Sequence, residues 1–160
     1  MTSQPATQPK PPQGVRDNGI VTDEIRRTLI AAARRARQYA YAPYSQYLVG
    51  AALLGANGEI YTGCNVENAA YPATICGERV ALVKAVSEGI RSFKAIAVVT
   101  ENGGFPCGTC RQMLYEFEPN LPVIVADAMS QVKYEGLLSD LLPGGFGPAQ
   151  LEKPDKDATP

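Results

Sequence analysis

Residues 93–126 read FKAIAVVTENGGFPCGTCRQMLYEFEPNLPVIVA. Phe93 to Thr100 is a nearly unbroken apolar run rich in β-branched residues, and it reads as a buried strand. Glu101 to Pro106 is a Gly-containing loop. Cys107 to about Phe117 has helical character, and Leu121 to Ala126 is a second buried strand.

Upstream, Cys76 to Gly89 predicts another helix, with Val80, Leu82, Val83 and Val86 expected mainly on one face. Residues 65–75, NVENAAYPATI, form a loop before it. A hairpin precedes that loop: Tyr47 to Leu54 outward, Ala56-Asn57-Gly58 as the turn, Glu59 to Cys64 back. The first helix is expected from about Thr22 to Ala40. Thr22 can cap it, Asp23 and Glu24 suit its first turn, and Ile25, Leu29, Ile30 and Ala33 fall at helical spacing. Downstream, a short helix near Leu137–Leu142 runs into Pro143-Gly144-Gly145-Phe146. This order predicts an α/β fold, a three-layer α/β/α sandwich around a mixed sheet. One domain over 21–147 is expected, between a disordered N-terminal tail (1–20, rich in Pro, Gln and Thr) and a C-terminal tail (148–160).

Charge narrows the partners. Fifteen basic and 16 acidic residues give a net charge of -1, with no basic stripe of the kind that grips a polyanion. The arginines at 26, 27, 34, 35 and 37 read as a solvated helix face. A small molecule is therefore expected in preference to nucleic acid. No apolar run is long enough for a membrane span, and MTSQPATQPKPPQG lacks a signal-peptide core, so a cytoplasmic location is expected. Reduced thiols there make the four cysteines candidates for metal binding, catalysis or packing rather than disulfides. The chain has no histidine, which excludes a histidine base and any mixed Cys/His metal site.

Two segments carry the chemistry: Cys76-Gly77-Glu78 and Pro106-Cys107-Gly108-Thr109-Cys110, each where a loop enters a predicted helix. Helix starts offer unpaired N–H groups and partial positive charge, which favour thiolates. Cys107 and Cys110, three residues apart, share a helix face, and Cys76 completes a three-thiolate zinc site from the other helix. Three protein ligands leave a fourth position open to a water that the metal acidifies. Glu78 can take the proton from that water without ligating the metal. Three thiolates and Zn²⁺ sum to -1, a charge that would weaken the metal. Arg79 is the expected compensating group through hydrogen bonds to the sulfurs.

An acidic residue two places after the first ligand and a later P-C-x-x-C are the signature of zinc deaminases. The chain resembles the cytidine deaminase family, in its small homo-oligomeric type with three cysteine ligands. The matching segments are PYSQYLVGAALL, GCNVENAAYP, CGERVAL, PCGTCRQ and LLPGGF, from about Ala42 to Phe146. The resemblance implies one zinc per chain on Cys76, Cys107 and Cys110, Glu78 as proton shuttle and Arg79 at the ligand sulfurs. It implies substrate contacts from Tyr47 near the base, Asn65 and Glu67 at the ribose, and the Gly77 N–H at the carbonyl or reacting oxygen. Tyr71 and Phe146 would reach an adjoining subunit's site, in a homotetramer with shared active sites. The implied reaction is deamination of cytidine and deoxycytidine within pyrimidine salvage. Gly77 stands where alanine is usual, Val80 where threonine is usual, and Tyr47 where phenylalanine is common.

Three other readings compete. A C-x-x-C can be a redox pair, but this one lacks the aromatic-Cys-Gly-Pro-Cys character and gives Cys76-Gly77-Glu78 no role. A structural zinc could recruit Cys64 as a fourth ligand, although Cys64 ends a predicted strand and reads as a small buried hydrophobe. A deaminase of another heterocycle, such as blasticidin S, would keep the metal and change the pocket.

Overall fold

The computed structural model describes residues 21–151. The expected tail over 1–20 and residues 152–160 lie outside the described residues. Residues 148–150, assigned to the C-terminal tail, form a 3₁₀ turn in which the Gly147 N–H donates to Gln150 Oε1 at 2.7 Å.

Helix α1 spans Asp23–Arg37. Thr22 Oγ1 accepts from the Ile25 N–H at 3.3 Å, and acids in the first turn and arginines in the last complement the helix dipole. Leu29, Ile30, Ala32 and Ala33 make its buried stripe. A hairpin follows, β1 (Gly50–Gly55) and β2 (Ile60–Cys64). Its turn needs Gly58, whose φ of 87° disfavours side chains with a Cβ. Then come α2 (Gly77–Ser87), β3 (Phe93–Val99), α3 (Gly108–Tyr115), β4 (Pro122–Ala126), β5 (Val132–Leu137) and α4 (Leu138–Leu141).

The five strands form one sheet in the order β2-β1-β3-β4-β5. β3 and β4 are parallel and the other neighbours antiparallel, which makes the sheet mixed as expected. Side chains alternate between the two faces. Ala52, Leu54, Ala97, Val99 and Ile124 pack with α1 residues on one side. Leu53, Ile96, Val98, Val123 and Val125 pack on the other with Ala81, Leu82 and Ala85 of α2, Leu114 of α3 and Leu138 of α4. Helices cover both faces, so the architecture is the three-layer sandwich.

Several local expectations shift. β5 was not anticipated. Its sequence VKYEGL alternates, with Tyr134 and Gly136 buried and Lys133 exposed, but the edge position leaves it too polar to read as a core strand. β1 begins at Gly50 rather than Tyr47, because most backbone groups from Tyr44 to the Val49 N–H bond side chains, those of Arg37, Ser45, Asn65 and Glu67, instead of a neighbouring strand. On α2 the buried face is Gly77, Glu78, Ala81, Leu82 and Ala85, while Val83 is exposed. Alanines fill this face because α2 lies close to β2. A Cβ on Gly63 would stand 2.5 Å from the Ala81 nitrogen and 2.8 Å from Val80 Cβ.

Candidate active site

The carboxyl end of β3 and the end of β2 deliver the two cysteine segments to one edge of the sandwich. Cys76 is the N-cap of α2 and Cys107 the N-cap of α3, both in extended conformation (ψ 154° and 166°), and neither side chain caps its own helix. The sulfurs are thus free to converge. Cys76 Sγ lies 3.9 Å from Cys107 Sγ, which lies 3.5 Å from Cys110 Sγ, and all three fall within 4.8 Å of one another. Tetrahedral zinc with Zn–S near 2.3 Å requires sulfurs about 3.8 Å apart, so the donor set and its spacing fit that ion. Cys64 does not belong to the cluster, and burial raises its pKa. The geometry therefore disfavours a four-thiolate structural site.

The cluster is strongly polarised. The Cys76 thiol is held well below its usual range by the nearby Cys110 sulfur and by the Arg79 guanidinium, against the cost of burial. Cys110 is pushed up by its contact with Cys76 and by its own burial. Arg79 Nη2 donates to Cys76 Sγ at 3.7 Å and to the Thr74 carbonyl at 2.9 Å. Its Nε is buried without a partner.

Glu78 is 4% exposed, and its Oε2 has no hydrogen-bond partner. A buried unpartnered carboxylate oxygen is unusual in a folded protein and is a mark of functional sites. Burial first, and then the nearby Cys76 thiolate, push its pKa up to about 6. A carboxyl at that value both accepts and returns protons near neutrality. As the first residue of α2, Gly77 presents an N–H with no partner inside the helix. A Cβ there would come 3.2 Å from Cys64 Cα, so this departure from the usual alanine goes with a close approach of α2 to the end of β2.

The other expected site residues divide into two groups. Asn65 and Glu67 are buried and organise the 44–49 segment. Asn65 Oδ1 accepts from the Val49 N–H and its Nδ2 donates to the Tyr47 carbonyl, both at 2.8 Å. Glu67 accepts from the Tyr44 and Ser45 N–H groups at 2.9 and 3.2 Å and from the Ser45 hydroxyl. These bonds, led by the hydroxyl, hold its carboxyl below the usual range. Tyr47 sits at the surface of that segment, with 37% of its area exposed. Tyr71 packs edge-on against Tyr44 but is 70% exposed, and Phe146 is 57% exposed. Both therefore project outward from the single chain.

Residues that the sequence reading passed over hold the site in place. Ser45 links Glu67 to the Tyr47 N–H. Arg111 Nε donates to the Pro106 carbonyl at 2.7 Å and its Nη1 to the Leu141 carbonyl at 2.8 Å, which ties the residue before Cys107 to α4. Gln112 donates to the Phe146 carbonyl at 2.7 Å. Arg111 and Gln112 directly follow Cys110, a hint of such a role in the sequence itself.

The family model for the cytidine and deoxycytidylate deaminase zinc-binding region matches residues 23–126. The chain belongs to this family. It is 49% identical over 126 residues to the cytidine deaminase of Sporosarcina psychrophila, covering 77% of this chain and 92% of that one. The probable cytidine deaminase of Dictyostelium discoideum is 47% identical over 76% of this chain and 84% of its own length. Among solved structures, the cytidine deaminase of Burkholderia pseudomallei superposes with a TM-score of 0.72 at 44% identity, over 79% of this chain and all of that one. Family and fold thus agree with the three-cysteine geometry. No helix among the described residues is long and apolar enough to cross a membrane.

Proposed function

We propose that the protein is a zinc-dependent deaminase that hydrolyses cytidine and deoxycytidine to uridine and deoxyuridine, releasing ammonia. The observation that carries this reading is the buried, unpartnered Glu78 carboxylate beside three converged cysteine sulfurs. Cys76, Cys107 and Cys110 would hold one zinc per chain, and that ion would supply Lewis-acid activation of water.

The protein's own groups do the rest. Glu78 accepts a proton from the attacking water and passes it to the pyrimidine ring nitrogen next to the amino-bearing carbon. It then moves the second water proton to the amine. The C–N bond breaks, ammonia leaves, and the water oxygen remains as the carbonyl of the product. The Gly77 N–H donates to the reacting oxygen or the pyrimidine carbonyl, where fixed donors favour developing charge. Arg79 offsets the sulfur charge from the side of Cys76. Asn65 and Glu67 bind the ribose, and Tyr47 lies against the base.

Tyr71 and Phe146, exposed on the single chain, fit a homotetramer in which each reaches a neighbour's site. The cellular role is pyrimidine salvage in the cytoplasm.

The test is ultraviolet absorbance of cytidine mixed with metal-analysed protein. A fall in the cytidine band with about one zinc per chain is the expected result. Glu78→Gln should lose about 10²–10⁴-fold in kcat while keeping its zinc. Undiminished turnover in that variant would remove Glu78 from its role, and zinc-loaded protein inert towards cytidine would overturn the reaction.

A further inference from the structure

Tyr47 does more than present a ring. Its hydroxyl donates to Asn102 Oδ1 at 2.7 Å, while its main-chain carbonyl accepts from Asn65 at 2.8 Å. Asn65 directly follows Cys64, which abuts Gly77 beside Cys76. Asn102 belongs to the loop that ends at Cys107. The residue therefore spans two segments, one leading to each cysteine-bearing helix start. The loop is shaped to receive it: Gly104 lies so close to the Tyr47 hydroxyl that a side chain there would displace the phenol. The Gly104 N–H is in turn held by Thr100 Oγ1 at 2.6 Å.

Arg37 braces the same two segments. Its Nε donates to the Leu48 carbonyl at 3.0 Å and its Nη2 pairs with Glu101 at 2.5 Å. The neighbours of Tyr47 and Asn102 are thus already joined, so removing the hydroxyl contact leaves the scaffold intact. What the hydroxyl adds is the orientation of the ring.

We propose that the Tyr47 hydroxyl and Asn102 form a latch across the site that fixes the ring where substrate binds, with Asn102 as a positioning residue for substrate affinity. This rests on the deaminase reading above. A phenylalanine at position 47 would keep the ring and lose the latch. The latch acts on binding, because neither residue supplies a proton or a metal ligand.

The experiment measures kcat and KM for cytidine in the zinc-loaded wild type, Tyr47→Phe, Asn102→Ala and the double variant. One neutral hydrogen bond corresponds to about fivefold, so KM should rise about three- to tenfold in each single variant. The double variant should match either single one, and kcat should stay within about twofold. A merely structural role would instead lower kcat and the melting temperature together. Unmoved KM in either single variant, a loss confined to kcat, or effects that multiply in the double variant overturn the latch. A wild type inactive on cytidine overturns the deaminase reading itself, and the latch with it.

Discussion

Gly63→Ala should disturb the site from a distance, and the structure sets the size of the effect. Gly63 lies in β2 with the first turns of α2 directly above it. A Cβ built there is 2.5 Å from the Ala81 nitrogen, 2.8 Å from Val80 Cβ and closer still to the Gly77 carbonyl oxygen. Ordinary contacts between carbon atoms fall at about 3.5–4.0 Å, so α2 must retreat from the sheet by about 1 Å. The obstructing atoms include two backbone groups, which no rotamer change relieves. Overpacking of this kind costs about 1–3 kcal/mol, or a fall in Tm of roughly 3–12 °C for a domain of this size. The retreating helix carries Glu78 and adjoins Cys76, and an error near 1 Å in a reacting group costs about 10²-fold in rate. The assays are thermal unfolding and kcat at saturating cytidine, with zinc content measured on the same samples. A variant with wild-type Tm and wild-type kcat would refute the close approach of α2 to β2 as the device that places the site.

Two further outcomes follow from the charges. Arg79→Gln removes the donor to Cys76 Sγ and should lower kcat about 10–100-fold, with Arg79→Lys intermediate because a lysine restores charge without the fork; full activity in the glutamine variant would count against charge compensation. Glu67 has a depressed pKa in the folded protein, so its stabilising contribution is complete above its unfolded pKa of about 4.3 and fades as pH falls through the lower folded value. In urea unfolding of metal-free samples, the advantage of wild type over Glu67→Gln should hold above about pH 5 and shrink as pH falls below about 4.3, and a pH-independent difference would contradict the assigned bonds.

Legibility differed from residue to residue for physical reasons. The convergence of Cys76, Cys107 and Cys110, with Glu78 buried beside Cys76, was readable because their spacing, set at helix starts, is local information. The absence of histidine sharpened this by leaving thiolates as the main candidates for a metal. Strands β3 and β4 were readable because burial on both faces demands continuous apolar sequence. Edge strand β5 was not, since Lys133 is exposed, Glu135 pairs with Arg26 of α1 rather than packing among apolar groups, and only Tyr134 and Gly136 are buried. The expected apolar face of α2 held at Leu82 and Val86 but not at Val83, which is exposed. Valine counts as hydrophobic wherever it falls, but the helix approaches β2 so closely that Ala81 and Ala85 occupy the contact.

By itself the sequence determined the class of fold and singled out the three cysteines that converge and the Glu78 carboxyl as candidates, because helical and strand periods and helix-start chemistry are written over a few neighbouring residues. Tertiary structure alone decided which oxygen of Glu78 is left unpartnered, and that Asn65, Glu67, Arg37 and Asn102 brace the 44–49 segment, with Arg37 and Asn102 tying it to the loop before Cys107. Those facts depend on desolvation and on contacts between residues distant in the chain, and no local pattern encodes either.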